Sequence, residues 1–173
     1  DIYQRTETEK STQLIFCDLS TPKSDKSDIY NQIKQNLLER GVAEQDIAFI
    51  HDYNTNIKKQ DLFEKVRRGD VRILIGSTFK MGAGTNVQTR LIAEHHIDVP
   101  WRPSDVEQRE GRIIRQGNTH SEVEIYKYVK EASFDAYSWQ IIEQKQRFIS
   151  QIMTSKVIGR SADDIDDAAL SYA

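Results

Sequence analysis

Gln108, Arg112 and Arg115 stand at i, i+4 and i+7, the spacing of one helical face. Two guanidiniums one turn apart, aimed at one place, suit the charge on a transferring phosphoryl group. Upstream lies Ser77-Thr78-Phe79-Lys80-Met81-Gly82-Ala83-Gly84-Thr85-Asn86. Gly82 and Gly84 let that backbone turn tightly and approach a ligand closely. Ser77, Thr78, Thr85 and Asn86 offer short polar side chains and exposed amides, a combination that suits a phosphate. Each feature also has a plainer reading. The loop could be an ordinary glycine-rich connection, and the helix a solvated one whose arginines pair with Glu107 and Glu110. The chemical reading gains when both flank the same end of a sheet.

The chain supplies the elements for such a sheet. Thr12–Cys17, Ile47–Ile50, Val71–Gly76 and Leu91–Val99 read as strands, with Val71–Gly76 an apolar run bounded by turn residues. Ile29, Ile33, Leu37 and Leu38 recur at helical spacing before Gly41. Ile57–Arg68 forms the next helix, with Leu62, Phe63 and Val66 inward. Pro103 and the acidic turn after it open the helix that carries Gln108, Gly111, Arg112 and Arg115. Val123–Val129 alternates as an edge strand would. Its Tyr126 and Tyr128 share a face, where they could stack on bases or pack under a helix. Strands alternating with helices imply an α/β domain, with a parallel sheet and helices on both faces. Asp18, the Ser77–Asn86 loop and Asp98–Ser104 would then all follow carboxyl ends of strands, where open α/β sheets bind ligands.

The flanks differ in character. Residues 1–11 are polar and aperiodic and read as a flexible lead-in. Leu19–Asp28 is a polar surface loop. After Lys130, the residues Phe134, Tyr137, Ile141, Ile142, Phe148, Ile149 and Ile152 fit the stripe of a long helix. That stripe would wrap over the core or dock on a partner. The expected organisation is a lead-in over 1–11, a domain over 12–131 and a helical extension over 132–173. Ser161-Ala162-Asp163-Asp164 opens a short acidic helix. Its aspartates lack the spacing and glycine of a calcium loop, so no metal site is expected.

Composition excludes several classes. With 173 residues, 38% hydrophobic and 29% charged, the chain suits one globular domain. A net charge of -3 gives no global basic signature, so any nucleic-acid site must be local or shared. The single cysteine, Cys17, excludes an internal disulfide. No apolar run has the length of a membrane span, no membrane role is expected, and the cytoplasm is the expected compartment. The opening at Asp1, without Met, is expected of an excised piece. His95 and His96 are adjacent on a strand, so they face opposite ways and cannot chelate together.

Read as motifs, these stretches resemble the second RecA-like lobe of a superfamily 2 helicase, closest to the Snf2-like DNA translocases. Ser77–Asn86 resembles motif V, and Gln108-Arg109-Glu110-Gly111-Arg112-Ile113-Ile114-Arg115-Gln116-Gly117-Asn118 resembles motif VI. Asp98-Val99-Pro100-Trp101-Arg102-Pro103 looks like the Asp-x-x-Trp-x-Pro segment before it, and Leu14–Asp18 like motif IV. Gly111 stands where Snf2 proteins carry Asp. The tail is similar to helices in large mobile-element proteins that join such a helicase to a DNA methylase.

The resemblance implies a set of roles. Arg112 and Arg115 would stabilise the γ-phosphate, with Gln108 orienting the contact. Gly84, Asn86 and Gly111 would border ATP. Ser77, Thr78 and Lys80 would touch nucleic acid, so that the loop couples the two ligands. The chain has no Gly-x-x-x-x-Gly-Lys-Ser/Thr loop and no acidic motif for magnesium. ATP and Mg2+ would therefore be held mainly by an N-terminal lobe outside this sequence. The implied partners are that lobe, duplex DNA and a DNA methylase domain. Two other classes stay open: a non-catalytic RecA-like scaffold of a methylase or restriction system, and a small-molecule enzyme of doubly wound fold. The second lacks an acid/base or nucleophile constellation near the strand ends.

Overall fold

The apolar runs become strands, and all five lie parallel. The computed structural model describes residues 1–20, 22, 28–82 and 84–153. Strands β1 (Thr12–Phe16), β2 (Ile47–Phe49), β3 (Ile73–Gly76), β4 (Leu91–His96) and β5 (Glu124–Lys127) form one sheet in the order β2-β3-β1-β4-β5. Central β1 pairs Leu14 with Leu74 of β3 on one side and with Glu94 of β4 on the other. Strand β5 closes one edge, pairing His95 with Tyr126, as its alternating pattern anticipates.

Helices cover both faces, because parallel strands need crossovers. On one face α3 (Asn56–Arg68) and α4 (Pro103–Ile113) bring Leu62, Phe63, Val66 and Ile113 onto Leu14, Phe16 and Leu74. On the other, α2 (Ile29–Glu39) lays Ile29, Tyr30, Ile33 and Leu37 over Ile15, Ile73 and Ile75. Caps fix two of the starts. The Asp28 carboxylate accepts from the Asn31 amide at 2.8 Å, and the Thr55 hydroxyl accepts from the Lys58 amide at 3.3 Å.

Three expectations change. Residues 1–11 are not a loose lead-in: α1 (Ile2–Arg5) is folded onto the domain. Arg72, which is buried, donates to the carbonyls of Tyr3 (2.8 Å), Thr6 (3.0 Å) and Ser11 (3.2 Å), and its guanidinium lies 4.1 Å from the Tyr3 ring centre. One buried cation needs these acceptors, and that need orders a segment with no apolar period of its own. Second, α4 ends at Ile113, so Arg115 lies in the turn beyond it, not on a common helical face with Gln108. Third, Tyr126 and Tyr128 use their rings within the sheet. His95 stacks on Tyr126 at 5.0 Å, and its Nδ1 lies 2.9 Å from the Tyr128 hydroxyl.

Among the described residues, 1–100 with 104–128 form one compact unit, and Trp101–Pro103 with 129–153 a second. The second carries α5 (Phe134–Met153), the expected long helix. Its buried side chains are Trp139 and Ile142, whereas Phe134, Ile149 and Ile152 of the expected stripe are exposed. The acidic helix expected from Ser161 lies outside the described residues. Among the described residues, no helix is long and apolar enough to cross a membrane.

Candidate functional site

The carboxyl ends of β1, β3 and β4 meet at a single side chain, Arg109. It lies on α4 with Val106 and Ile113, at the spacing of the stripe that α4 buries, and it is fully inaccessible to solvent. Its Nε donates to the Thr78 hydroxyl at 2.7 Å. One terminal nitrogen donates to Asp18 at 2.8 Å and to Asp98 at 3.0 Å, and the other to the Asp98 carbonyl at 3.1 Å. The guanidinium also lies over the Phe16 ring, 5.2 Å from its centre. Asp98 in turn accepts from the amides of Asp18 and Leu19. Asp18 accepts from the Thr78 amide at 2.6 Å and hydroxyl at 2.8 Å. The ends of these three strands are tied through one cation.

Beside this hub sits a buried pair, Glu94 and His96. Burial pushes the Glu94 carboxyl up to about 8, and nearby Glu110 adds to that rise. Burial pulls His96 down to about 4, with the Arg109 charge acting the same way. Both shifts favour neutral forms. His96 Nε2 lies 2.7 Å from Glu94 Oε1, while its Nδ1 faces the Arg109 guanidinium at 3.4 Å. A guanidinium only donates, so the ring proton belongs on Nε2, directed at Glu94.

The glycine-bearing loop is folded against α4. Met81 donates its amide to the Ser77 carbonyl at 2.9 Å, and Gly82 to that of Phe79 at 3.2 Å. A Cβ on Gly82 would lie 3.0 Å from the Phe79 oxygen and 3.2 Å from that of Thr78, so a side chain there would need the turn to give by a few tenths of an ångström. Gly84 has φ +81°, a left-handed conformation that glycine adopts without strain. Arg112 reaches across and donates to the carbonyls of Gly82 and, at 3.2 Å, Thr85. Glu110 pairs with Lys127 at 3.0 Å, so the local helix pairing open from sequence is not what holds Arg112.

The expected site residues divide into two groups. Ser77 and Thr78 turn inward. The Ser77 hydroxyl accepts from the Lys80 amide at 3.3 Å, and the Thr78 hydroxyl is committed to Asp18 and Arg109. Both side chains are buried. Outward lie Gly84, Asn86, Gln108, Gly111 and Arg115, all exposed, with Lys80 half-buried. Gln108 closes over the loop, its amide nitrogen 3.5 Å from where a Gly82 Cβ would sit. The place of a Cβ on Gly111 is open space. The Arg115 side chain has no hydrogen-bond or ion-pair partner among the described residues, while its amide donates to the Ile113 carbonyl at 3.0 Å. Burial, and then the charge of Arg115 nearby, lower the pKa of Arg112. Two like charges near each other, the outer one unpaired among the described residues, have the character that suits an anion. No group of three or more His, Cys, Asp or Glu among the described residues is placed to hold a metal.

Arg109 was missed because a helix arginine is ordinarily solvated. The available signal was its place between Val106 and Ile113, together with two aspartates expected at strand ends.

The helicase conserved C-terminal domain family matches residues 2–117, more than half of the chain. The chain belongs to that family. Its fold is that of a RecA-like α/β lobe: the C-terminal part of the Fun30 ATPase domain superposes with a TM-score of 0.56, at 21% identity, over 82% of this chain and 42% of that one. Two curated proteins are similar in sequence. Defense against restriction protein B of Escherichia phage P1 is 33% identical over 76 residues, which is 44% of this chain. The uncharacterized ATP-dependent helicase YqhH of Bacillus subtilis strain 168 is 30% identical over 97 residues, 55% of this chain. These matches span 3% and 16% of the relatives' own lengths.

Proposed function

We propose that this helicase C-terminal domain is the second motor lobe of an ATP-dependent DNA translocase or helicase, completing an ATP site shared with an N-terminal lobe. The observation that carries the reading is the arrangement of the two arginines. Arg112 is fixed on the loop carbonyls, and Arg115 stands exposed near it, its side chain unpaired among the described residues. In such a site Arg115 would meet the γ-phosphate as charge develops, and Arg112 would hold the loop while adding its field. Gln108 would orient the contact, and Gly84, Asn86 and Gly111 would border the nucleotide. ATP supplies the transferable phosphoryl group. Magnesium would be held by the other lobe, which would also carry the phosphate cradle.

For nucleic acid, the inward turn of Ser77 and Thr78 leaves Lys80 as the loop's phosphate contact. The net charge of -3 supports a weak, shared track for duplex DNA rather than a self-sufficient one. Likeness to a protein of defence against restriction supports a setting among restriction and methylation enzymes, and a DNA methylase domain is the partner we assign. Such a machine would work in the cytoplasm. The purified 173-residue chain should release phosphate from ATP at background rates, with or without DNA. Robust DNA-stimulated turnover by the chain alone would refute the shared site.

A further inference from the structure

In an open α/β sheet, a ligand enters where the order of strands reverses, beyond their carboxyl ends. Here the chain leaves β1 for one edge and later reaches β4 on its other side, so the reversal falls between β1 and β4. That crevice is bordered by Asp18 after β1 and Asp98 after β4, and the Arg109 guanidinium fills it. The position where such a sheet would receive a ligand is taken by the protein's own cation.

We propose that Arg109 is the positioning residue of the site: from this crevice it sets the register between the glycine loop and α4, and thereby the placement of Gln108, Arg112 and Arg115. This rests on the shared-site reading above. The route is short. Arg109 Nε holds the Thr78 hydroxyl, and Thr78 begins the turn whose amides are fixed on Ser77 and Phe79. Gln108 precedes Arg109 in the chain, and Arg112 follows one turn later, its guanidinium on the carbonyls of that same loop. The loop is thus held from below by Arg109 and from above by Arg112. A planar guanidinium reaches the Thr78 hydroxyl, two carboxylates and a carbonyl at once. An ammonium cannot.

Two variants test the proposal, Arg109→Lys and Thr78→Val, with Thr78→Ser as the conservative control. In the 173-residue chain, amide exchange at Met81 and Gly82 should quicken about tenfold or more in both variants and stay near wild type in Thr78→Ser. A merely structural role predicts another pattern. The β1 amides, which open only on global unfolding, would lose protection, while the locally opening loop amides would exchange as before. Unchanged loop exchange in both variants overturns the proposal. In the two-lobe protein, kcat should fall about 100-fold, as for a small misplacement of reacting groups, with KM for ATP nearly unchanged. Thr78→Ser should retain turnover. The two readings fail separately. Full turnover in Arg115→Ala refutes the shared site itself. Loss of turnover in Arg115→Ala beside wild-type rates in Arg109→Lys and Thr78→Val refutes only the role of Arg109.

Discussion

Arg109 meets Asp98 twice, through the carboxylate at 3.0 Å and the backbone carbonyl at 3.1 Å, with both side chains out of water. Breaking such a pair leaves a buried charge uncompensated. Asp98→Ala should therefore cost about 3–5 kcal/mol of stability, the scale for removing one partner of a buried ion pair. Asp98→Asn keeps the shape and should cost less. Urea unfolding of the three proteins checks this. A loss under about 1 kcal/mol for Asp98→Ala, the value of a surface pair, would contradict the hub.

The first residues of the chain belong to the fold through Arg72. Its donors use the carbonyls of Tyr3, Thr6 and Ser11, and its guanidinium lies on the Tyr3 ring. Deleting residues 1–6 strands a buried cation and should cost at least about 2 kcal/mol, the penalty range for buried groups left unpaired. Arg72→Ala should cost a similar amount. Thermal melts at matched concentration separate this from a loose lead-in, whose removal would leave the midpoint where it was.

Stability should peak near pH 6.5, for reasons that lie in three buried groups. Glu94 keeps its proton to about pH 8 in the folded state, against 4.5 ordinarily. Between those values the unfolded chain binds fewer protons, so this group makes stability fall as pH rises. His95 and His96 are pulled down by burial to about 4 from 6.5. Between those values the unfolded chain binds more protons, so the two histidines make stability fall as pH drops. Below pH 6.5 the two histidines outweigh the one acid. From there to about 8 only Glu94 contributes, at up to about 1.4 kcal/mol per pH unit. Glu94→Gln should remove the alkaline slope and keep the acid one. Persistence of the alkaline slope in Glu94→Gln would contradict the assignment.

The sheet was legible because β2 and β3 are apolar runs between turn residues and β1 and β4 each contain one. The helices were legible because Leu62, Phe63 and Val66, or Ile29 and Ile33, repeat at helical spacing. The loop was legible through Gly82 and Gly84. What periodicity could not show was the direction of polar side chains. Ser77 and Thr78 look like ligand contacts, yet their hydroxyls satisfy an amide and a buried cation. Arg109 and Arg72 look like surface charges, yet each closes a set of internal acceptors contributed by distant parts of the chain. Arg115 sits outside the helix because α4 stops at Ile113, a boundary that spacing alone does not fix.

The shared ATP site is tested most directly by Arg115→Ala in the two-lobe protein. The guanidinium would meet charge that grows only at the transition state, so ATP affinity should change little. Turnover should fall by about 10³ or more, the scale of arginine-finger effects. Arg115→Lys should rescue poorly, since an ammonium lacks the planar fork. Arg112→Ala should lose turnover too, together with stability, because its guanidinium also holds the loop. The deciding measurement is kcat for a folded Arg115→Ala protein with saturating ATP and DNA: a drop of about a thousandfold is predicted, and a wild-type kcat would contradict the account.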